Sequence, residues 1–266
     1  MLMTKKEKLR KILSGFDRIA VAFSGGVDST FLLKASKELI GDGVLAITAV
    51  NDFVPAREVE EMKTFCEKEG IRHICVSIDV ASVKDITKNP VNRCYLCKRE
   101  IMGRILRAAE KEGVETIFDG SNMDDMGDYR PGVKALEELG IRSPLKEAGL
   151  TKKDIRELSK ELGLKTWNKP SYSCLATRIP YGEEITKERL AMIDKAEVLL
   201  GELGFSQLRV RCHGKIARIE VLPEDIKVLA EDTIRNKVCS GLKDLGFDYV
   251  TIDMAGYRTG SMNEVL

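Results

Sequence analysis

The chain lacks most of what marks a membrane, a secretory route or a polyanionic partner. No apolar run approaches the roughly 18 residues that a membrane-spanning helix needs. The N-terminal MLMTKKEKLRKIL has no apolar signal core and no small-residue cleavage site, so it reads as an amphipathic helix and the expected location is cytoplasmic. An excess of one charge is missing too: 43 basic against 42 acidic residues leave +1, so neither nucleic acid nor an anionic membrane is an expected partner. There is no internal repeat and no low-complexity tract. Histidine occurs twice, at His73 and His213, which leaves a zinc site built on cysteines without an evident fourth ligand. Tryptophan occurs once, at Trp167, and packing beneath the loop that follows is its expected role. Seven cysteines, an odd number thinly spread over 266 residues, argue against a disulfide framework.

What is present is a clear alternation. RIAVAF (18–23), VLAITAV (44–50), RHICVSI (72–78) and ETIFDG (115–120) read as strands, with helical patterns such as TFLLKASKEL, AREVEEMKTFCEKEG and REIMGRILRAAEKEG between them. That order implies an α/β fold with a parallel sheet covered on both faces. After about Leu164 the period is lost in TWNKPSYSCLATRIPYGEEIT, a connecting or functional loop. KERLAMIDKAEVLLGELG then reads as a long helix, QLRVRC and KIARIEV as a hairpin, EDIKVLAEDTIRNKVCSGLKDLG as one helix and YVTIDM as a last strand. The expected division is a nucleotide-binding domain over residues 1–170 and a donor-loop plus smaller α+β domain over 171–266.

SGGVDST (24–30) is the strongest local signal, because it follows a strand and opens a helix. Gly25 and Gly26 let the backbone turn tightly and approach a ligand. The helix start offers free N–H groups and a positive dipole end, which suit phosphate. Ser24, Ser29 and Thr30 add hydroxyl donors. Asp28 would repel phosphate unless a divalent cation bridges the two, which points to Mg²⁺. The lysine of a GxxxxGK[ST] loop is absent. A glycine turn with Asp and Ser as helix caps is the plainer alternative, and the preceding apolar strand weighs against it.

FDGSNMDDMGDYRPG (118–132) falls at the carboxyl end of the fourth strand, where ligands of open parallel sheets gather. Asn122, Asp124, Asp125 and Asp128 would place acceptors there and Arg130 would offset anionic charge, although most of these acids also fit an ordinary polar loop. In RCYLCKRE (93–100), Cys94 and Cys97 could be a metal pair, a redox pair or two core thiols. Cys66, Cys75, Cys212 and Cys239 lie in helical or strand patterns and read as packing residues. Arg209, Arg211 and His213 around Cys212 could bind phosphate, and Glu220 fits a solvated strand face better than a metal or phosphate site.

SGGVDS resembles the PP-loop of ATP pyrophosphatases. The resemblance implies binding of the pyrophosphate part of ATP, adenylation of a carbonyl-type oxygen and release of pyrophosphate. GSNMDDMGDYRPG, NRCYLCKRE, SYSCLATRIPYGEEIT, RVRCHGKIARIEV and GYRTGSMN are similar to one PP-loop family, the ATP-dependent sulfur transferases called LarE. The likeness spans nearly the whole chain. It implies an enzyme of nickel-pincer nucleotide biosynthesis that acts on pyridinium-3,5-biscarboxylic acid mononucleotide. Cys174 matches the sulfur-donor position and Lys98 the lysine expected just after the third strand. Lys98 and Arg178 would favour the thiolate and neutralise anionic substrate groups. A homo-oligomer is implied, with a hexamer as the expected form.

The simplest pattern in that family needs one donor cysteine, and this chain offers Cys94, Cys97 and Cys174. Three thiolates can hold a 4Fe-4S cluster with one iron left open, so the expected cofactors are ATP, Mg²⁺ and 4Fe-4S. Sulfur would come through that cluster, or from Cys174 itself with dehydroalanine left behind. A PP-loop tRNA 2-thiolation enzyme and a nucleotide- or cluster-binding carrier without turnover are the alternatives. An amidotransferase is disfavoured, since no glutaminase module is evident.

Overall fold

The computed structural model of the chain describes residues 2–126, 131–169, 174–258 and 260–265. It falls into two compact units, Met1–Asp79 with Asn92–Tyr172, and Val80–Val91 with Ser173–Leu266. The second therefore takes in a short segment that the sequence pattern placed within the first domain.

In chain order the elements are α1 (Leu2–Leu13), β1 (Ile19–Ala22), α2 (Val27–Ile40), β2 (Val44–Val50), α3 (Ala56–Lys68), β3 (Arg72–Ser77), α4 (Lys84–Thr87), α5 (Arg93–Lys111), β4 (Ile117–Phe118), α6 (Pro131–Glu138), α7 (Pro144–Glu147) and α8 (Lys152–Glu161). Then follow α9 (Lys187–Glu202), β5 (Leu208–His213), β6 (Ile216–Val221), α10 (Ile226–Leu229), α11 (Asp232–Asp244) and β7 (Tyr249–Ile252).

The first unit is an α/β Rossmann-like layer structure, with a parallel sheet in the order β3-β2-β1-β4. β1 is central and buried on both sides, which is why it reads as an unbroken apolar run. Ile19, Val21 and Phe23 face a core with Leu9, Leu13, Phe31 and Leu158, supplied by α1, α2 and α8. Ala20 and Ala22 face the opposite core with Met102, Ile105, Ala109 and Leu136. β4 is only two residues long, prolonged by a bridge between Phe118 and Arg142. The order places the switch point of the sheet beside the end of β1, where a ligand crevice is expected.

The second unit has a smaller sheet in the order β5-β6-β7. β5 and β6 form the antiparallel hairpin expected around His213-Gly214, and β7 joins β6 in parallel. α9 and α11 cover one face, where Ile193, Leu200, Val210, Cys212, Ile219 and Leu242 are buried. They approach so closely that a Cβ on Gly241 would lie 2.4 Å from Leu199 Cδ1.

Two expectations are corrected. The segment from Glu224 to Gly246 is not one helix: it breaks between α10 and α11, where Ala230 ends one turn and Glu231 caps the next with extended backbone. α5 starts at Arg93 rather than Arg99, so Cys94, Cys97 and Lys98 are helical and Lys98 does not directly follow β3. Among the described residues no helix is long and apolar enough to cross a membrane.

Candidate functional site

β1 delivers the chain directly into the Ser24–Gly26 turn. Gly25 takes φ +68°, and a Cβ there would sit 2.8 Å from Met62 Cγ, so glycine is needed on two counts. Gly26 is the N-cap of α2. Ser29 Oγ ties the loop: it accepts from the Ser24 N–H at 3.3 Å, lies 3.1 Å from Ser24 Oγ and donates to the Gly26 carbonyl at 3.3 Å. Gly120, at the end of β4, packs against this turn so tightly that a Cβ would be 2.9 Å from Ser29 N. The loop after β4 is thereby fastened to the loop after β1.

Asp28 is the one acid in the first turn of α2. Its Oδ2 is paired with Lys152 Nζ, while Oδ1 is buried without a hydrogen-bond partner. Burial pushes its pKa up, and Lys152 only partly opposes this. Thr30 Oγ1 is likewise buried and unpartnered. Asn122 and Asp124 shape the neighbouring loop: Asn122 Oδ1 accepts from the Asp124 N–H at 2.9 Å, and Asp124 Oδ2 accepts from the Lys152 N–H at 2.7 Å. Asp125 Oδ2 accepts from the Asn122 N–H at 2.8 Å. Arg130 and Asp128 lie outside the described residues.

Lys152 was not singled out in the sequence. It follows Thr151, which forms a reciprocal capping box with Asp154 at the start of α8, and that local signal was readable. Its pairing with Asp28, 124 positions away, was not. Lys169 was missed as well; its Nζ lies 2.8 Å from Glu61 and 3.5 Å from the Gly25 carbonyl.

A Mg²⁺ fits this end of the sheet on one observation, the orphaned Oδ1 of Asp28. Among the described residues no three ligating side chains cage a metal ion. Mg²⁺ does not need such a cage, because it binds through one or two carboxylates, water and substrate phosphates.

All seven cysteines are unbridged thiols. Cys94 and Cys97 sit three apart in the first turns of α5, hence on one helix face, and both are half-buried. Arg93, fully buried beside them, points Nη2 at Cys94 Sγ, 3.7 Å away. Lys98 is one residue further on, with Nζ 3.8 Å from the buried Asp119 carboxylate. Among the described residues no three His, Cys, Asp or Glu side chains, these two cysteines included, are grouped so as to hold a metal ion. Cys174, the third candidate, belongs to the second unit.

In that unit Cys174 opens a short 3-10 turn, Leu175–Arg178, and is exposed. Its carbonyl accepts three hydrogen bonds: from Thr177 N–H at 3.0 Å, Thr177 Oγ1 at 2.8 Å and Arg178 Nη1 at 3.1 Å. The backbone is pinned while the thiol stays open. Arg178 is neither a surface ion pair nor an exposed charge beside the sulfur. It is 1% exposed, and Nε and Nη2 bind both oxygens of Glu197 at 2.8 and 2.9 Å. Glu220 is also not on a solvated strand face. It is fully buried, with Arg211 on both oxygens at 2.8 and 3.0 Å and Arg218 at 3.1 Å. The reason is register: Arg209 faces Glu220 and Arg211 faces Arg218 on one face of the hairpin. Burial, then the charge of Arg178, pulls Arg209 below its ordinary pKa.

Cys66 and Cys212 are buried as expected, but Cys75 is exposed at the sheet edge, 3.9 Å from His73 Nε2. Trp167 is 38% exposed with Lys160 stacked over its ring at 4.9 Å, so it is not a buried packing residue. The donor loop it was expected to support runs through residues 170–173, outside the described residues.

No family model matches the chain. It is 41% identical over its full length to an uncharacterized protein of Synechocystis sp., covering 99% of that protein. It is 38% identical over 266 residues to the pyridinium-3,5-bisthiocarboxylic acid mononucleotide synthase of Lactiplantibacillus plantarum, covering 100% of this chain and 96% of that one. A glutamine-hydrolyzing GMP synthase chain of Pyrococcus furiosus is 27% identical over 219 residues, covering 74% of this chain and 67% of the relative.

Proposed function

The chain belongs to the LarE family of PP-loop enzymes, and from that premise we propose that it is an ATP-dependent sulfur transferase of nickel-pincer nucleotide biosynthesis. The observation that carries the reading is the full-length likeness to the Lactiplantibacillus synthase. The substrate is pyridinium-3,5-biscarboxylic acid mononucleotide, and the product carries a thiocarboxylate in place of a carboxylate.

The site chemistry supports this order of events. The Ser24–Thr30 turn and the start of α2 hold the phosphates of ATP. Asp28, with its unpartnered Oδ1, would hold a Mg²⁺, which would supply charge to stabilise the phosphates, and its Lys152 partner is a further cation for the pyrophosphate. Asn122 and Asp124 shape the edge of the crevice and Arg130 offsets anionic charge. A substrate carboxylate oxygen attacks the α-phosphorus and pyrophosphate departs with the electron pair of the broken P–O bond. A sulfur nucleophile then attacks the acyl carbon and AMP leaves; in the sacrificial route that nucleophile is the Cys174 thiolate, and a thioester forms. Lys98 neutralises anionic oxygen during these steps. Arg178 holds the Cys174 carbonyl rather than the sulfur.

Sulfur leaves by one of two routes. In the first, Cys94, Cys97 and Cys174 would hold a 4Fe-4S cluster, which would supply sulfide as the nucleophile more than once and leave Cys174 intact. The helix-face pairing of Cys94 and Cys97 favours it. In the second, the Cβ–S bond of Cys174 breaks as a proton leaves Cα, giving thiocarboxylate and dehydroalanine. The open, unbridged state of Cys174 favours that one. The deciding experiment is anaerobic purification with iron and sulfide analysis, pyrophosphate release on adding ATP and substrate, and the mass of the Cys174 peptide after turnover. Bound iron with intact Cys174 over several turnovers establishes the cluster route. An iron-free protein whose Cys174 loses about the mass of H₂S establishes the sacrificial one. Absence of pyrophosphate release overturns the transferase reading.

A further inference from the structure

We propose that Asp119 is a positioning residue for Lys98, a buried anionic mount that holds the ammonium next to the phosphate loop. The inference rests on the sulfur-transfer reading above and deepens it. The Asp119 side chain is 4% exposed, too buried for an ionised carboxylate unless its oxygens are satisfied. They are. Ser143 Oγ donates to Oδ1 and Ser121 Oγ donates to Oδ2, each at 2.6 Å. The backbone is fixed too, since the Asp119 N–H donates to the Arg142 carbonyl at 2.9 Å.

Lys98 stands in a different relation to it. Its Nζ is 3.8 Å from Oδ2, beyond hydrogen-bonding range but well within electrostatic reach. Among the described residues Asp119 is its one charged partner. The hydroxyls thus take the short bonds that fix the carboxylate, and the ammonium keeps its N–H donors for another acceptor. Lys98 is 34% exposed, so a solute can reach it. The residue after Asp119, Gly120, packs against the phosphate loop so closely that an added Cβ would lie 2.9 Å from Ser29 N. Two adjacent residues therefore join the helix that carries Lys98 to the loop that would carry the nucleotide. The acceptor that fits an ammonium held there is an anionic oxygen of the substrate carboxylate or of its acyl phosphate.

The test uses the full chain and two readouts. The first is the rate at which an amine-reactive reagent modifies Lys98, read by peptide mass without substrate. Removing the carboxylate frees the amine from its mount, so it samples more positions open to the reagent. Asp119→Asn should therefore raise Lys98 labelling about threefold or more relative to the other lysines. Ser143→Ala, which loosens the carboxylate but keeps its charge, should raise it less, and it keeps the test decisive if Asp119→Asn does not fold. The second readout is a double-mutant cycle on substrate-dependent pyrophosphate release. Asp119→Asn should lower kcat about tenfold or more with KM for ATP unchanged, and add less than about twofold to Lys98→Ala. Unchanged labelling of Lys98 in both variants overturns the proposal, and so do losses that multiply in full. If the wild-type chain releases no pyrophosphate, the transferase reading fails, and the labelling result alone decides the relation between Asp119 and Lys98.

Discussion

Around the phosphate loop, Asp28 shares a lysine but leaves Oδ1 buried and unpartnered, as is Thr30 Oγ1. Around Cys174 the acids are saturated. Glu197 takes two bonds from Arg178 and a third from the Val210 N–H at 3.0 Å. Glu220 takes Arg211, Arg218 and a contact from Ser261 Oγ at 3.3 Å. The first region has unmet bonding capacity, which a ligand can fill. In the second the carboxylates are filled, although Arg218 Nε and His213 Nε2 are buried without partners, and the Arg178–Glu197 pair acts on the chain itself by fixing the turn that presents a thiol. The lesson is that a buried carboxylate carries two different meanings, and whether its own oxygens are met separates them.

The largest expected effect removes the one group that the saturated region presents. Cys174→Ala should lower thiocarboxylate formation by at least about a thousandfold, since no other atom of that turn can take the nucleophile's place. Its exposed side chain implies little change in stability. Product assay and thermal melting together check this; product at a tenth of the wild-type rate would rule out Cys174 as the donor.

Next come matched neutralisations of the two acids. Glu197→Ala removes the carboxylate that takes Nε and Nη2 of the buried Arg178 and should cost about 3–5 kcal/mol of folding stability. Asp28→Asn should do the reverse. Its pKa is raised in the folded chain, so the charged form is disfavoured there. Stability tied to Asp28 is present below its unfolded value and is lost as pH rises through the folded one. At neutral pH the amide should therefore fold as well as wild type or better. Pyrophosphate release should still fall about a hundredfold, as expected when a metal-bridging carboxylate goes. Urea unfolding of both variants makes the comparison, and similar losses of stability in the two would dissolve the distinction.

How much of this was legible in the sequence follows the same line. The parallel sheet and the hairpin are local patterns, and VLAITAV matches β2 residue for residue. The phosphate loop is local too, because Gly25, Gly26 and Asp28 act through the turn they occupy. Partners distant in sequence were not legible. Nothing in IARIEV shows that Glu220 meets Arg211 rather than water, because a strand face is polar in either case until the register and the covering turn with Ser261 are known. The carboxylate partner of Arg178 was illegible for the same reason, since Glu197 lies 19 positions away on α9. The early start of α5 was missed because Cys-Tyr-Leu-Cys carries no capping signal, and Asn92 makes no side-chain cap bond.

The smallest expected effect sharpens the comparison inside one unit. Asp154 lies in the same unit as Asp28, but its Oδ2 accepts from the Thr151 N–H at 2.9 Å and Oγ1 at 2.8 Å in the capping box and from Lys5 Nζ at 2.6 Å. Burial alone would raise its pKa, yet the hydrogen bonds from Lys5 and Thr151 outweigh burial and bring it to about 2. A depressed carboxylate gives stability that is fully present above its unfolded value, near 3.8, and is lost as pH falls through about 2. Asp154→Asn should therefore cost about 1 kcal/mol at pH 7, the usual size for a cap with an exposed ion pair. The difference from wild type should be the same at about pH 5 and shrink by about pH 3, within the window between those two values. Added salt should reduce only the Lys5 part. Urea midpoints at the three pH values are the check, and a difference that instead opened between pH 5 and 7 would contradict it. If the result holds, two aspartates of one unit titrate in opposite directions, and it is the satisfaction of their oxygens, not the domain they sit in, that sets the sign.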